Sequence, residues 1–290
     1  MHSSEHDAPG IEWRLSREEV VPFLRVPVDD RRTTPIEFPP PWPDRPWTFG
    51  VMVASSNGVV AWRRRGARDD PVRTILGGED RPERIADRRL MRLLRSVGDV
   101  AIGAETVREE PKLVPTPQEP GDEPAPELYR SRTSRGLSYH PRVIVYSLYG
   151  RLPIAHPLFH TPGLQTIVVT TDAGARELAA RGVSATPAKL LVEALPDPAA
   201  LARVHRRLHA ELGVRYLACE GGQTVLHALH DARLLDEVFL TVTDVVIDDS
   251  AHEDLVKIFD FERERAELVA EGRIAPDSGY TFQRWRFRRR

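Results

Sequence analysis

The chain has 290 residues, 41% of them hydrophobic, enough apolar content for one sizeable core. Its 41 Lys and Arg against 43 Asp and Glu leave a net charge of −2, which argues against nucleic acid as a partner, because such domains are usually strongly basic. A lone Cys219 excludes an intramolecular disulfide framework and a multi-cysteine zinc site. No apolar run approaches membrane-spanning length, so the chain reads as a cytoplasmic α/β protein that acts on a small molecule.

Residues 1–46 read as an N-terminal arm, with a short helix over Ser16 to Leu24 and then the proline-dense EFPPPWPDRP linker. Residues 47–290 read as one domain. Trp47 to Ser55 is a strand, Ser56-Asn57-Gly58 a turn, and Val59 to Trp62 extended again. Arg63 to Pro82 is polar and reads as loop. From Pro82 a helix presents Ala86, Leu90, Leu93, Leu94 and Val97 on one face and five arginines, including Arg88, Arg92 and Arg95, on the other, until Gly98 ends it. Asp99 to Ile102 is a short buried strand that runs into Gly103-Ala104-Glu105-Thr106, a strand-to-helix turn. Pro111 to Pro141 holds seven prolines and reads as a long loop.

Arg142 to Tyr146 and Gln165 to Thr170 are continuous apolar strands, the kind covered by helices on both faces. Thr171 to Arg181 is a helix. Asp197-Pro198 starts another, with Leu201, Val204, Leu208 and Leu212 along one face and a stop at Gly213. Val214 to Ala218 is a strand, Gly221-Gly222 a break, Gln223 to Asp231 a helix, and Asp236 to Val246 a β-branched strand. Asp248 to Glu262 reads as acidic and partly helical. Ala266 to Ile274 and Tyr280 to Phe287 form a closing antiparallel pair. Alternating strands and helices followed by a hairpin predict a mixed, mostly parallel sheet flanked by helices.

Several chemistries are excluded by their missing signatures. There is no GxGxxG after the first strand, no GxxxxGK[ST] and no HExxH. His205 and His209 stand four apart on a helix without a third ligand, so they read as part of its packed face rather than a metal site. Ser55-Ser56 has no neighbouring base to make a nucleophile. What remains is a row of small-residue turns at strand ends: Ser55 to Gly58, Gly103 to Thr106, Ser147, Thr170-Thr171 and Glu220-Gly221-Gly222. In a parallel sheet these ends fall on one edge. Two glycine-containing helix starts there suit a polyphosphate ligand such as a dinucleotide.

Three ordered motifs, VASSNG, LLRSVGDVAIGAETVREEPKL and LACEGGQTVLHALHDARLLDEVFLTV, resemble the C-terminal reductase domain of the bifunctional riboflavin-biosynthesis deaminase-reductase, over roughly Trp47 to Arg288. The closing DSGYTFQRW resembles the final strand of stand-alone members. The resemblance implies a dihydrofolate-reductase-like fold, a homodimer, NADPH as cofactor and no metal. The implied reaction is hydride transfer to the ribosylamino group of a pyrimidine 5′-phosphate. It places the cofactor pyrophosphate on Gly221, Gly222, Gln223 and Thr224, with Gly103 and Thr106 opposite and Gly58 in the first turn. Ser147, Thr170 and Thr171 would lie near the adenosine ribose and its 2′-phosphate. Asn57, Glu110, Leu113 and Glu220 would face the substrate, Asn57 and Glu220 in the catalytic positions.

The chain departs from the family pattern at three places. The first turn, usually SLDG followed by a basic residue, reads SSNG followed by Val59. An amide can hydrogen-bond a ribose hydroxyl but cannot act as a general base. The usual GxGT reads GAET, and the usual Asp-containing DNP or DDP reads Glu109-Glu110-Pro111. The deaminase zinc signature, HxE with PCxxC, is not met by one cysteine. The alternatives to the reductase are a non-catalytic NADP(H)- or nucleotide-binding module and a dihydrofolate reductase-like activity.

Overall fold

A computed structural model describes residues 12–15, 24–25, 37–64, 69–78, 81–119 and 124–288. Strands β1 (Glu12–Leu15), β2 (Leu24–Arg25) and β3 (Glu37–Phe38) precede β4 (Trp47–Ala54) and β5 (Val59–Ala61). The helix expected over Ser16 to Leu24 lies outside the described residues, apart from Leu24 in β2. Next come α1 (Pro71–Ile75), α2 (Pro82–Arg95), β6 (Asp99–Gly103), α3 (Ala104–Glu109), α4 (Pro126–Ser134) and β7 (Val143–Ser147). They are followed by β8 (Thr166–Thr170), α5 (Asp172–Ala180), β9 (Lys189–Val192), α6 (Pro198–Leu212), β10 (Tyr216–Cys219) and α7 (Gln223–Asp231). The chain ends through β11 (Glu237–Val242), β12 (Val256–Lys257), β13 (Glu267–Arg273) and β14 (Thr281–Arg286).

Ten strands form the main sheet in the order β1-β13-β14-β11-β4-β10-β6-β7-β8-β9. The run from β11 to β9 is parallel, and β14, β13 and β1 add antiparallel pairings at one side. This is the mixed, mostly parallel sheet with C-terminal antiparallel strands that the residue pattern predicts, and it agrees with the dihydrofolate-reductase-like type that the resemblance implies. The parallel strands β6, β7 and β8 are buried at every position, which explains their unbroken apolar sequences. Helices cover both faces. Leu201, Val204 and Leu208 of α6 and Leu226 and Leu229 of α7 pack on Ile144, Ile167 and Leu217. On the other face Leu90, Leu93 and Leu94 of α2 meet Phe49, Ala218 and Phe239, while Val107 and Leu178 cover Val100, Ile102 and Val145.

The residues just before β4 are strapped to the sheet. Phe38 is fully buried against Phe49, Tyr216 and Phe239. Arg45 donates to both oxygens of Asp236 at 2.8 and 2.6 Å, and the Trp42 indole N–H donates to the same carboxylate at 3.0 Å. A buried carboxylate held by a guanidinium fork and an indole is a fixed anchor.

Four sequence expectations need correction. The Arg63 to Pro82 loop contains α1, which Pro71 opens and the Asp70 side chain caps by accepting from the Arg73 N–H at 3.1 Å. The Pro111 to Pro141 loop contains α4, opened in the same way by Pro126. Arg132 of α4 is wholly buried and donates to the carbonyls of Arg95 and Gly98, both at 2.7 Å, closing the C-terminal end of α2. The partly helical stretch expected over Asp248 to Glu262 is instead turns plus β12, which pairs with β5. Strand β9 was not expected, because only Leu191 of its four residues is buried.

Candidate functional site

Strand β10 lies between β4 and β6 and parallel to both, so the turns that follow β6 and β10 are neighbours. The ladder continues past the strands: the Glu220 N–H donates to the Ala101 carbonyl at 3.0 Å, and the Gly103 N–H to the Gly221 carbonyl at 2.8 Å. A Cβ on Gly103 would stand 3.3 Å from the Gly222 nitrogen and from Val225 Cγ2, so glycine lets the two turns touch. Gly221 has φ +126 and its peptide bond to Gly222 is cis. A Cβ on Gly221 or Gly222 would meet only Thr106 Oγ1, at 3.8 or 3.7 Å, so protein does not fill the space above these glycines. Gly103, Thr106, Gly221 and Gly222 are therefore brought together. Gly222 caps α7, whose first turn has no acidic residue, and so leaves its positive end uncompensated. The Gln223 amide oxygen folds back to accept from the Thr224 N–H and hydroxyl.

These turns open into a cavity of about 470 Å³, within the ordinary range of small-ligand sites. Gly103, Glu105, Ser147, Gly222, Gln223 and Thr224 line its polar side. Leu195, Pro196, Leu201 and Leu229 line its apolar side, and Tyr146 also borders it. Two arginines complete it. Arg108 of α3 and Arg151, in the turn after β7, both reach the cavity, and Arg108 donates to the Arg151 carbonyl at 3.2 Å. Tyr149, 68% exposed, stands beside Arg151, whose guanidinium lies 5.9 Å from the ring centre.

Thr170 and Thr171, expected near the adenosine ribose, are not among the residues that line the cavity. The Thr170 hydroxyl donates to the Ser147 carbonyl at 2.6 Å, and the Thr171 hydroxyl to the Leu148 carbonyl at 2.8 Å. Thr171 also caps α5 by accepting from the Gly174 N–H at 3.1 Å. Both hydroxyls satisfy carbonyls of the turn that carries Ser147, and so support the cavity wall from behind. Tyr146 is fixed in a similar way, its hydroxyl 3.3 Å from Nε2 of the fully buried His205. The other ring nitrogen of His205 lies 3.5 Å from the Thr48 hydroxyl. Cys219 is buried, which pushes its thiol up to about 12.

The expected substrate residues separate into different settings. Glu220 is clamped by Arg95, whose Nε and Nη2 donate to both its oxygens at 2.7 to 3.0 Å; the Arg95 and Glu220 side chains are only 2% and 5% exposed. Breaking such a buried pair from one side typically costs about 3–5 kcal/mol. Glu119 also takes an Arg95 hydrogen bond. Burial opposes the charge on Arg95, but Glu220 and Glu119 outweigh it and hold the guanidinium pKa above its ordinary value. Glu110 sits in the same field. It has exposed surface, yet desolvation of its carboxyl, followed by repulsion from Glu119, pushes it up to about 7. Leu113 packs with the Val100, Ile102 and Val145 cluster.

Asn57 is spent within the chain. Its Nδ2 donates to the Ile247 carbonyl at 2.8 Å and to Asp249 at 3.3 Å, while its Oδ1 accepts from the Ser55 hydroxyl and the Ile247 N–H at 2.8 and 3.1 Å. Two donors and two acceptor positions are the full capacity of an amide, so none is left for a ribose hydroxyl. Gly58, at φ +81, completes this turn and does not line the cavity. Strand β4 runs on to Ala54 beyond Gly50, the partner of Cys219, which carries the end of the strand before the Asn57 turn ~10 Å further along than Glu220. Val59, where the family pattern has a cation, is fully buried against Trp62, Ile75 and Ile247. Sequence reasoning missed Tyr149, Arg151, Leu195 and Pro196. The available signal was the cation four residues after Ser147.

An open, mostly parallel sheet whose glycine turns meet over a cleft at the strand ends, where strand order switches, defines an α/β protein with its cleft where such sheets usually take ligands. More particularly, the chain belongs to the RibD C-terminal domain family, which it matches over residues 57–268. No curated protein matches it significantly. Among solved structures, Acinetobacter baumannii RibD is similar, with a TM-score of 0.59 and 16% identity, over 85% of this chain and 59% of that one. A pyrimidine reductase-like protein from Corynebacterium diphtheriae has a TM-score of 0.59 and 18% identity, over 85% of this chain and 94% of its own. These likenesses are of fold. The chain spans about three fifths of the A. baumannii protein and nearly all of the C. diphtheriae one.

Proposed function

We propose that the chain is an NADPH-dependent reductase that transfers a hydride to a pyrimidine ribosylamino 5′-phosphate or a related heterocycle. The observation that carries the reading is the contact of Gly103 with Gly221-Gly222 at a cavity that also holds Arg108 and Arg151. Backbone N–H groups at the start of α7 suit a pyrophosphate, and nothing acidic in its first turn opposes one. Arg108, Arg151 and Ser147 are the groups that would hold a 2′-phosphate, and Leu195, Pro196 and Leu201 offer an apolar wall for a base. The acidic Glu105 on the same rim is offset by these two arginines. The bound nicotinamide would supply the hydride; the chain's part is to orient it and exclude water.

Titration with NADPH and with NADH, followed by nicotinamide fluorescence, tests the cofactor. NADPH is expected to bind more tightly, and Arg108→Ala with Arg151→Ala to weaken NADPH by roughly 10- to 100-fold while leaving NADH nearly unchanged, the scale of one or two charge-assisted contacts. Equal binding of both nucleotides by the unaltered protein would refute NADPH selectivity, and no binding would refute the reductase. One observation favours a second reading, an NADP(H)-binding module without turnover. Both expected catalytic positions are engaged elsewhere, Asn57 with Ile247 and Asp249, and Glu220 with Arg95. NADPH oxidation on addition of the pyrimidine substrate decides between the two readings.

A further inference from the structure

Arg95, at the C-terminal end of α2, lies between two segments far apart in the chain. On one side it holds Glu220, the residue before the glycine turn. On the other, its Nη1 donates to the Glu119 carboxylate and to the Thr116 carbonyl at 3.2 Å. One turn earlier on α2, Arg92 donates to the Pro117 carbonyl at 2.8 Å, so the 116–119 stretch lies along the helix under two guanidinium groups. None of these four residues lines the cavity. The carbonyl of Arg95 itself accepts from the buried Arg132, which pins the helix end. A guanidinium is planar and rigid, so its two nitrogen edges cannot be aimed independently. Moving Glu119 tilts the plane that holds Glu220, and Glu220 is one peptide from the Gly221 carbonyl that accepts from Gly103.

We propose that Arg95 is a positioning residue that couples the 116–119 segment to the Glu220–Gly221–Gly222 turn, so that a dinucleotide seated on the turn orders the segment and an ordered segment tightens its binding. The identity of the dinucleotide rests on the proposed function; the coupling does not. Reciprocity follows from linkage: whatever factor the segment contributes to binding, binding returns to the segment. Glu119→Gln is the decisive variant, because Glu119 does not line the cavity and bonds to Arg95 on the side away from Glu220.

The experiment combines amide hydrogen exchange of the full chain, with and without NADPH, and NADPH titration, for the unaltered protein, Glu119→Gln and Arg95→Lys. NADPH is expected to slow exchange at residues 116–119. Glu119→Gln should weaken NADPH by roughly tenfold, within the usual range of site-to-site coupling, and should speed exchange at 220–224 before any ligand is added. Arg95→Lys, a point charge without the fork, should reproduce both effects. If it fails to fold, Glu119→Gln decides alone. A Glu119→Gln protein with a lowered melting temperature but unchanged NADPH affinity and unchanged exchange at 220–224 would reduce Arg95 to a structural ion pair and overturn the proposal. If the unaltered protein does not bind NADPH, the proposed function falls, and the exchange of the ligand-free variant at 220–224 still decides the coupling.

Discussion

His205 makes the stability of the chain depend on acid in a calculable way. It is fully buried, with its ring nitrogens facing the Thr48 and Tyr146 hydroxyls. Burial, reinforced by the nearby Arg45 guanidinium, lowers its pKa from 6.5 to about 3. The folded protein therefore refuses a proton that the unfolded chain accepts near pH 6.5, and the group's contribution, intact above that value, is lost as pH falls. At about pH 5 the unfolded chain gains roughly 1.5 pK units of protonation free energy, or ~2 kcal/mol, while the folded state gains almost none. The loss would grow to ~5 kcal/mol near the folded pKa, where carboxylates also intervene. Urea unfolding of the native protein and His205→Gln at about pH 7.5 and 5 measures it. The fixed cost of the substitution cancels in the comparison between pH values. The native protein should lose ~2 kcal/mol more than the variant on acidification. Equal losses would mean that the imidazole is protonated in the folded state, and the account of a neutral histidine beneath the cavity tyrosine would be wrong.

Two further outcomes follow from the same geometry. A Cβ at Gly174 would lie 2.0 Å from the Thr170 hydroxyl and 2.8 Å from the Leu148 carbonyl, so Gly174→Ala should destabilise by roughly 1–3 kcal/mol and also weaken NADPH, because the Ser147 turn must shift; an unchanged melting temperature and affinity would contradict the packing. Glu110, raised from 4.5 to about 7, favours the folded state below the lower value and loses that contribution as pH rises through the upper one. Glu110→Gln should therefore flatten the pH dependence of stability across that window, and identical profiles for the two proteins would show that the carboxyl is unperturbed.

The elements that a one-dimensional pattern can specify were readable from the residues. The apolar stripe of α2 and the unbroken runs of β7 and β8 repeat with a helical or strand period, and glycines mark both turns at the cavity. Polarity around Pro71 and the proline count around Pro126 both read as loop, yet a first-turn proline also starts a helix, and tertiary burial of Ile75 and Leu128 selected that outcome. Within Asp248 to Glu262, Val256 and Lys257 were drawn into pairing with β5, a partner that local propensity does not register. At the site, the turns of Gly103 and Gly221-Gly222 were legible because their meeting lies in the backbone. The partners of Thr170 and Thr171 were not, since a hydroxyl at a strand end serves a neighbouring carbonyl as readily as a ligand. Arg151, Leu195 and Pro196 reach the cavity only through the convergence of β7, β9 and α6.

The position of β10 has a consequence for biosynthesis. Both neighbours of β4 in the sheet, β10 and β11, are made after it, whereas β6, β7, β8 and β9 are sequential neighbours that can pair in the order they leave the ribosome. A growing chain can therefore build a four-stranded block while β4, WTFGVMVA, waits with both edges open. At ordinary translation speeds the interval before Tyr216 appears is on the order of ten to thirty seconds. For that time this eight-residue strand is a client for chaperones. The Gly103 turn likewise waits for its partner, because Gly221-Gly222 has not yet been synthesised.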